Sequence, residues 1–262
     1  MEFTLSNLAK ADIFSGIFHQ IKTFSENINI QFDKTGLFVQ TMDHSRVAIM
    51  EIRLPIEWFD TYVIENDASI VIGVNSGILF KILNARDKQQ TVKIVYDSGS
   101  TDTLSVYFSS EGKGNFDKSF EVPLIDLEME FMQIPEIDYQ AEFSLPAGTF
   151  ASIVNQLKMF GESMDITCSE ERIALNAYSQ DCGKMTVEIG VDDLTEFSIN
   201  EGEQIDMSFS LNYLHNICLY NRLSKEIEIK ICDQYPLFIR YHLDEQYKNA
   251  EIQFYLAPKM QD

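Results

Sequence analysis

The stretch LAKADIFSGIFHQIKTFSENINIQFDKTGLFVQTMD, residues 8–43, decides how this chain is read. Its opening is helical. Ser6 or Asn7 can accept the first free amide protons of a helix. Leu8, Ala11, Phe14, Ile17, Ile21 and Phe24 then recur at spacings of three and four, which places them on one apolar stripe. The period then changes. Ile28, Ile30 and Phe32 alternate as in a strand, Asp33-Lys34-Thr35-Gly36 has turn chemistry, and LFVQTMD (37–43) reads as the returning strand. The same statement recurs in PAGTFASIVNQLKMFGESMDITCSEERIALNAY (146–178). Pro146 sits at a helix start, and Phe150, Ile153, Val154, Leu157 and Phe160 form the apolar stripe. MDITC (164–168), a turn at Ser169-Glu170-Glu171 and RIALNAY (172–178) supply the two strands.

Working outward, the later parts of each half also correspond. SGILFKILN (76–84) predicts a short helix followed by the strands TVKIVYD (91–97) and TLSVYF (103–108); LNYLHNICLY (211–220) predicts another, followed by KEIEIKICD (225–233) and PLFIRYHL (236–243). Each half is helix, strands, helix, strands, with hairpin spacing between strands. The expected fold class is therefore α+β, two tandem copies of one unit of about 120–130 residues. We place the first domain at residues 1–121, a connecting loop at 122–138 and the second domain at 139–262. The connector, VPLIDLEMEFMQIPEIDYQ (122–140), carries Pro123 and Pro135, which restrict regular structure, and apolar residues that belong on a surface rather than in solvent.

Composition narrows the classes of function. Hydrophobic residues make up 45% of the 262, ample for a core. The longest apolar stretch, Ile70 to Leu83, is interrupted by Asn75, Ser76 and Lys81, so no membrane span is expected. The opening MEFTLSNLAK lacks the charged and apolar regions of a secretory signal. Cys168, Cys182, Cys218 and Cys232 are scattered, with no zinc spacing, as suits an intracellular protein with reduced thiols. The sequence has no HExxH, GxxxxGK[ST] or GxSxG, and its 41 acidic residues guarantee chance carboxylate clusters, so no catalytic residue, metal site or cofactor is expected. The formal net charge of −21 argues against a polyanionic partner unless the few basic residues are gathered on one face.

Five segments carry a family resemblance. LFVQTMDHSRVAIMEI (37–52), WFDTY (58–62), GVNSGILFKIL (73–83), DLE and IPE within 126–136, and LAPK (256–259) lie in the order and at the spacing of the DNA sliding clamps of the proliferating cell nuclear antigen family. None is decisive alone; together they cover nearly the whole chain. The resemblance implies a homotrimeric ring of six similar domains, with helices lining the hole and antiparallel sheets outside. It implies a DNA polymerase processivity factor that encircles duplex DNA without sequence preference, is opened by a clamp loader, and tethers peptide-motif proteins such as ligase and flap nuclease. Location in the nucleus follows, or at a host nuclear or cytoplasmic replication site for a viral member.

The resemblance also assigns residues. A partner peptide with a helical turn and two aromatic side chains is expected against Met42, Arg46, Val47, Ile49, Met129, Met132, Ile134, Pro236, Tyr255, Leu256, Ala257 and Pro258, a methionine-rich and adaptable surface. The DNA-facing side chains are Lys22, Lys81, Lys158 and Arg222, with His19 and His215 adding partial charge. The trimer contact is assigned to edge strands near 116–122 and 184–190, through Phe116, Phe120, Val187 and Ile189. Departures are visible. Ser15, Gly16, Asn84, Ser152 and Asn155 stand where family members usually carry basic residues, and Glu170 stands where eukaryotic clamps carry the ubiquitin-accepting lysine. Such a pattern points to a divergent member, for instance one encoded by a large DNA virus or a protist. The alternatives are a subunit of a heterotrimeric checkpoint or multi-clamp ring, and an acidic DNA-mimicking or structural β-protein.

Overall fold

A computed structural model describes residues 1–65, 69–97, 99, 102–110, 116–128 and 131–259. In chain order the first half comprises β1 (Glu2–Leu5), α1 (Leu8–Ile21), β2 (Asn27–Asp33), β3 (Gly36–Met42), β4 (Ala48–Pro55), a 3₁₀ turn (Ile56–Trp58), β5 (Thr61–Val63), β6 (Ile70–Asn75), α2 (Ser76–Leu83), β7 (Thr91–Val95), β8 (Thr103–Ser109) and β9 (Lys118–Ile125). The second half repeats the succession: β10 (Ala141–Pro146), α3 (Ala147–Leu157), β11 (Ser163–Cys168), β12 (Arg172–Ser179), β13 (Gly183–Gly190), a 3₁₀ turn (Val191–Asp193), β14 (Glu196–Ile199), β15 (Ile205–Ser210) and α4 (Leu211–Cys218). A 3₁₀ turn (Leu219–Arg222), β16 (Glu226–Ile231), β17 (Leu237–His242) and β18 (Glu251–Leu256) complete it. The strand pairing repeats as well. β1 pairs antiparallel with β5 and β7, as β10 does with β14 and β16. β2 lies between β3 and β6, as β11 lies between β12 and β15. The α+β duplication expected from the sequence is therefore present element by element.

The chain forms two compact units, one of Met1–His44, Glu51–Met132 and Leu243–Glu251, the other of Ser45–Met50, Gln133–His242 and Ile252–Asp262. In the first, Phe3, Phe14, Phe18, Phe32, Trp58 and Phe108 are fully buried. Phe3 sits among Phe14, Phe59 and Phe32 at ring separations of 5.7, 4.8 and 6.1 Å. In the second, Phe143, Phe150, Phe209, Tyr220, Tyr241 and Phe254 play that part.

Local chemistry explains the elements. Asn7 caps α1, its Oδ1 accepting from the amides of Ala9 and Lys10 at 3.0 and 3.3 Å, and Asn75 caps α2 through Ile78 at 3.0 Å. The stripe expected to run to Phe24 ends at Ile21. The amides of Thr23 and Phe24 close back onto Gln20 and Ile21, and the Thr23 hydroxyl also donates to the Gln20 carbonyl, so the last turn tightens. In the β2–β3 turn, the Asp33 carboxylate accepts from the Thr35 amide and hydroxyl, and Gly36 takes φ +137°, where a Cβ would meet the Leu54 carbonyl oxygen at 2.1 Å. β9 extends to Ile125, so residues 122–125 are strand and irregular backbone begins at 126.

Candidate functional site

On the second unit, the C-terminal strand sorts its side chains by alternation. Ile252, Phe254 and Leu256 enter the core, so Gln253 and Tyr255 face outward. The Tyr255 hydroxyl donates to Gln253 Oε1 at 3.1 Å, and its ring meets Phe238 at 5.3 Å; Phe238 in turn meets Tyr139 at 5.8 Å. Chain folding thus lays an aromatic row, Tyr139–Phe238–Tyr255, from three distant segments. The Ala257 amide donates to the Val47 carbonyl at 2.9 Å, which brings two of the expected peptide-docking residues together. The tail continues against the four-stranded sheet, with the Lys259 amide on the Ser208 carbonyl at 2.8 Å and Lys259 Nζ on Ser163 Oγ at 2.6 Å.

Val47, Ile49, Ile134, Pro236, Tyr255, Ala257 and Pro258 are all half-buried and belong to this unit. Arg46 is exposed, in a left-handed backbone conformation with φ 58°. Leu256 is 0% exposed, so its side chain serves the core and only its backbone could meet a ligand. On the first unit, Met42 is half-buried and Met132 exposed. Met129 lies outside the described residues.

A row of charges adjoins the aromatic row. Glu142 stands opposite Lys230 on the neighbouring strand, and Glu228 stands opposite Arg240. Lys230 Nζ reaches Glu142 at 2.9 Å and Glu228 at 3.1 Å, Arg240 reaches Glu228 at 2.8 Å, and His242 Nε2 lies 3.5 Å from Glu228. The Arg240 guanidinium also sits over the Phe238 ring at 5.3 Å. Burial pushes the Glu228 carboxyl up, but hydrogen bonds from His242 and Arg240, the Arg240 charge and Lys230 outweigh it and hold the group down at about 2. A carboxyl more acidic in the folded state stabilises the fold above its unfolded value near 4.5, and that stabilisation is lost as pH falls through about 2. Glu228→Gln should therefore lower Tm most above pH 5, by about 2–4 °C per kcal/mol lost, and the gap to wild type should narrow steadily between pH 5 and pH 2. Melting curves across that range check it; a gap that does not change with pH would show that the carboxylate charge is immaterial.

The basic residues assigned to DNA all occupy helix ends. Lys22 and Lys158 are the C-caps of α1 and α3, Lys81 is in the last turn of α2, and Arg222 closes the 3₁₀ turn after α4. All four are exposed. A cation there also offsets the negative end of the helix dipole. In the first unit Lys22 Nζ lies 3.1 Å from the centre of the Phe80 ring, and His19 packs edge-on against that ring at 4.6 Å. In the second, His215 Nδ1 is 2.7 Å from Asn155 Oδ1. Burial, then the charge of the adjacent Lys22 or Lys158, holds His19 and His215 below the ordinary imidazole value. The shift works against the partial charge expected of them.

The two strands assigned to the trimer contact lie one in each unit, and each has an open side. β13 ends its sheet, in the order β13-β12-β11-β15, with Val187 paired to Leu175 and Ile189 to Ile173. β9 pairs with β8 along its length and with β6 only at Leu124 and Ile125, so among the described residues 118–123 have a strand on one side alone. Phe120 packs on Phe108 at 5.6 Å. Phe116 departs from the expected alternation. It precedes the strand and is 80% exposed, its carbonyl taken by Gln90 Nε2 at 2.8 Å. Glu170 is engaged too, accepting from the Gly202 amide at 2.7 Å.

A duplicated α+β unit with capped helices, antiparallel sheets and an open strand edge in each copy is the architecture of a sliding clamp. Residues 4–131 match the N-terminal domain of proliferating cell nuclear antigen and residues 133–259 match its C-terminal domain, so the chain belongs to the proliferating cell nuclear antigen family. It is 26% identical to proliferating cell nuclear antigen of Caenorhabditis elegans over 262 residues, covering 98% of this chain and 97% of the relative. It is 28% identical to that of Chaetomium thermophilum and 28% identical to proliferating cell nuclear antigen 2 of Drosophila melanogaster, with 98% of each chain covered in both comparisons. The family's role is that of a non-enzymatic clamp, the processivity factor of DNA replication and a participant in repair, and this chain is a processivity factor of that kind. Its members bind DNA, polymerase and other proteins and assemble as trimers.

Proposed function

We propose that three copies of this chain close head to tail into a ring that encircles duplex DNA, joined by β9 of one copy against β13 of the next. The observation that carries this is that β9 in one unit and β13 in the other each keep an open strand side. Two different edges on one chain make a heterologous contact, and such a contact closes into a ring when its rotation permits. Left open, the same edges would invite aggregation. The ring works by topology, with no catalytic residue and no cofactor. It is opened by a clamp loader, and it raises the local concentration of the polymerase, ligase and flap nuclease it tethers. The family context supports a nuclear site of action, and no helix among the described residues is long and apolar enough to cross a membrane.

Lys22, Lys81, Lys158 and Arg222, repeated threefold, supply the DNA-facing charge, which reconciles the net charge of −21 with a polyanion in the hole. Partner peptides dock on the second unit, with their aromatic anchors against Val47, Ile49, Ile134, Pro236, Tyr255 and Ala257, beside the aromatic row.

The test is the solution mass by light scattering across protein concentration and salt. A mass of three times 30.1 kDa is the expected result. A single chain at all concentrations would overturn the homotrimer in favour of a ring completed by different subunits.

A further inference from the structure

Past β9, the described part of the connecting segment has no backbone pairing of its own. Among the described residues, no backbone–backbone hydrogen bond holds any part of 126–139; the next is from the Gln140 amide to the Ile231 carbonyl. Yet one point of the segment is gripped with strand-like geometry by a side chain. Gln40 Oε1 accepts from the Met132 amide at 2.6 Å, and Gln40 Nε2 donates to the Met132 carbonyl at 2.9 Å. The carboxamide thus satisfies both main-chain groups of one residue, as a neighbouring strand would.

The grip is oriented from behind. Gln40 Nε2 also donates to Glu51 Oε1 at 2.8 Å, which fixes which end of the amide meets which group of Met132, and Arg53 Nη2 holds Glu51 Oε2 at 2.8 Å. Gln40 and Glu51 are each 4% exposed, so this chain of bonds is shielded from competing water. One position back along β3, on the same face by strand alternation, Phe38 carries the Phe131 ring at 5.3 Å and lies under the Arg53 guanidinium at 4.6 Å. One position forward on that face is Met42, a residue assigned to partner docking. Phe38 and Gln40 therefore register the consecutive residues Phe131 and Met132 along β3.

We propose that Gln40 is a positioning residue for partner docking: its clasp on Met132 fixes the backbone of the connecting segment at that residue, and so limits the freedom of the residues that follow it along the chain, Ile134 among them. Ile134 is two residues beyond the clasped one, within about 7 Å of chain. Further along the chain Tyr139 rests on Phe238 at 5.8 Å, so the clasp bounds on its N-terminal side the stretch assigned to partner docking. The inference rests on the docking reading given under the proposed function. An ordered segment costs less entropy to bind against than a loose one.

The test uses a fluorescein-labelled synthetic peptide with one helical turn and two adjacent aromatic residues, titrated into the full chain. Gln40→Met keeps the volume and removes the clasp, but leaves Glu51 short of a donor. The double variant Gln40→Met with Glu51→Leu removes both buried polar groups together, which is far better tolerated, and Arg53 is exposed enough to be solvated. Both variants should bind the peptide about fivefold more weakly, the worth of two neutral hydrogen bonds at the low end of their range. Amide exchange at 131–134 should quicken, while the double variant keeps its Tm and the solution mass is unchanged. Undiminished affinity in variants whose 131–134 amides exchange faster would overturn the positioning role, and unchanged exchange would overturn the clasp itself. Loss of protection throughout the first unit in both variants would reduce Gln40 to a structural residue and overturn the proposal. Wild-type protein that ignores the peptide would instead sink the docking reading, a failure distinguished from the others because it appears before any substitution is made.

Discussion

Val187→Asp is expected to convert a particle of three times 30.1 kDa into single chains, and to abolish processive synthesis with it. Val187 sits in the middle of β13, the terminal strand of its four-stranded sheet, half-buried beside Ile189, while Thr186 and Glu188 face the other way. In the proposed ring this strand pairs with β9 of the next copy, and the apolar face becomes dry on both sides of the junction. A carboxylate there has no cation among the residues that flank it in sequence, and an unpaired buried charge costs about 3–5 kcal/mol. The penalty recurs at each of the three junctions, more than a reversible ring can absorb at micromolar concentration. Within one chain the cost is smaller, because the edge of β13 lets the carboxylate reach water. Light scattering gives the mass, and circular dichroism with a thermal melt shows whether the single chain stays folded. A trimer that survives the substitution would move the interface away from β13.

Replacing Ile134 and Tyr255 together by Ala should abolish stimulation of a cognate polymerase while leaving the oligomer intact. The two side chains come from the connecting segment and the last strand, both half-buried on the second unit. Tyr255 is braced by Phe238, so it is a rigid aromatic surface whose ordering cost is already met in the free protein. Anchors of this kind carry about 2 kcal/mol or more each, so the pair removes affinity by roughly a thousandfold if their effects add. Neither residue lies on β9 or β13, and the core side chains beside Tyr255, Phe254 and Leu256, are untouched. Retained polymerase stimulation at unchanged mass would place the docking surface elsewhere.

Much of this molecule is legible in its sequence because the signals are local. The cap Asn7, the stripe Ala11–Phe14–Ile17–Ile21 and the Asp33-to-Gly36 turn each depend on residues within a few positions of one another. The internal duplication multiplies every such signal by two, and five family segments in order identify the clamp. The end of α1 was less legible. Phe24 continues the apolar period, but hydroxyl and amide bonds back to Gln20 and Ile21 compete with one more helical turn. Phe116 shows the same limit: apolar alternation cannot say that the strand starts only at Lys118. The charge of the histidines is hard to read for another reason. Their charge depends on burial and on a lysine one helical turn away or on a neighbouring helix, not on residue type.

The sequence by itself determined the repeated α+β unit, the absence of any familiar catalytic motif and the membership in the clamp family, since period, capping and motif order are written along the chain. The tertiary structure alone decided which distant groups meet. The row Tyr139–Phe238–Tyr255, the cross-strand pairs Glu142–Lys230 and Glu228–Arg240 and the clasp of Gln40 on Met132 join residues 12 to 99 positions apart. No local pattern encodes such meetings, because a hydrogen bond or ring contact is selected by the packing of the whole sheet, and an isolated Gln or Phe on a strand is compatible with many partners until that packing chooses one.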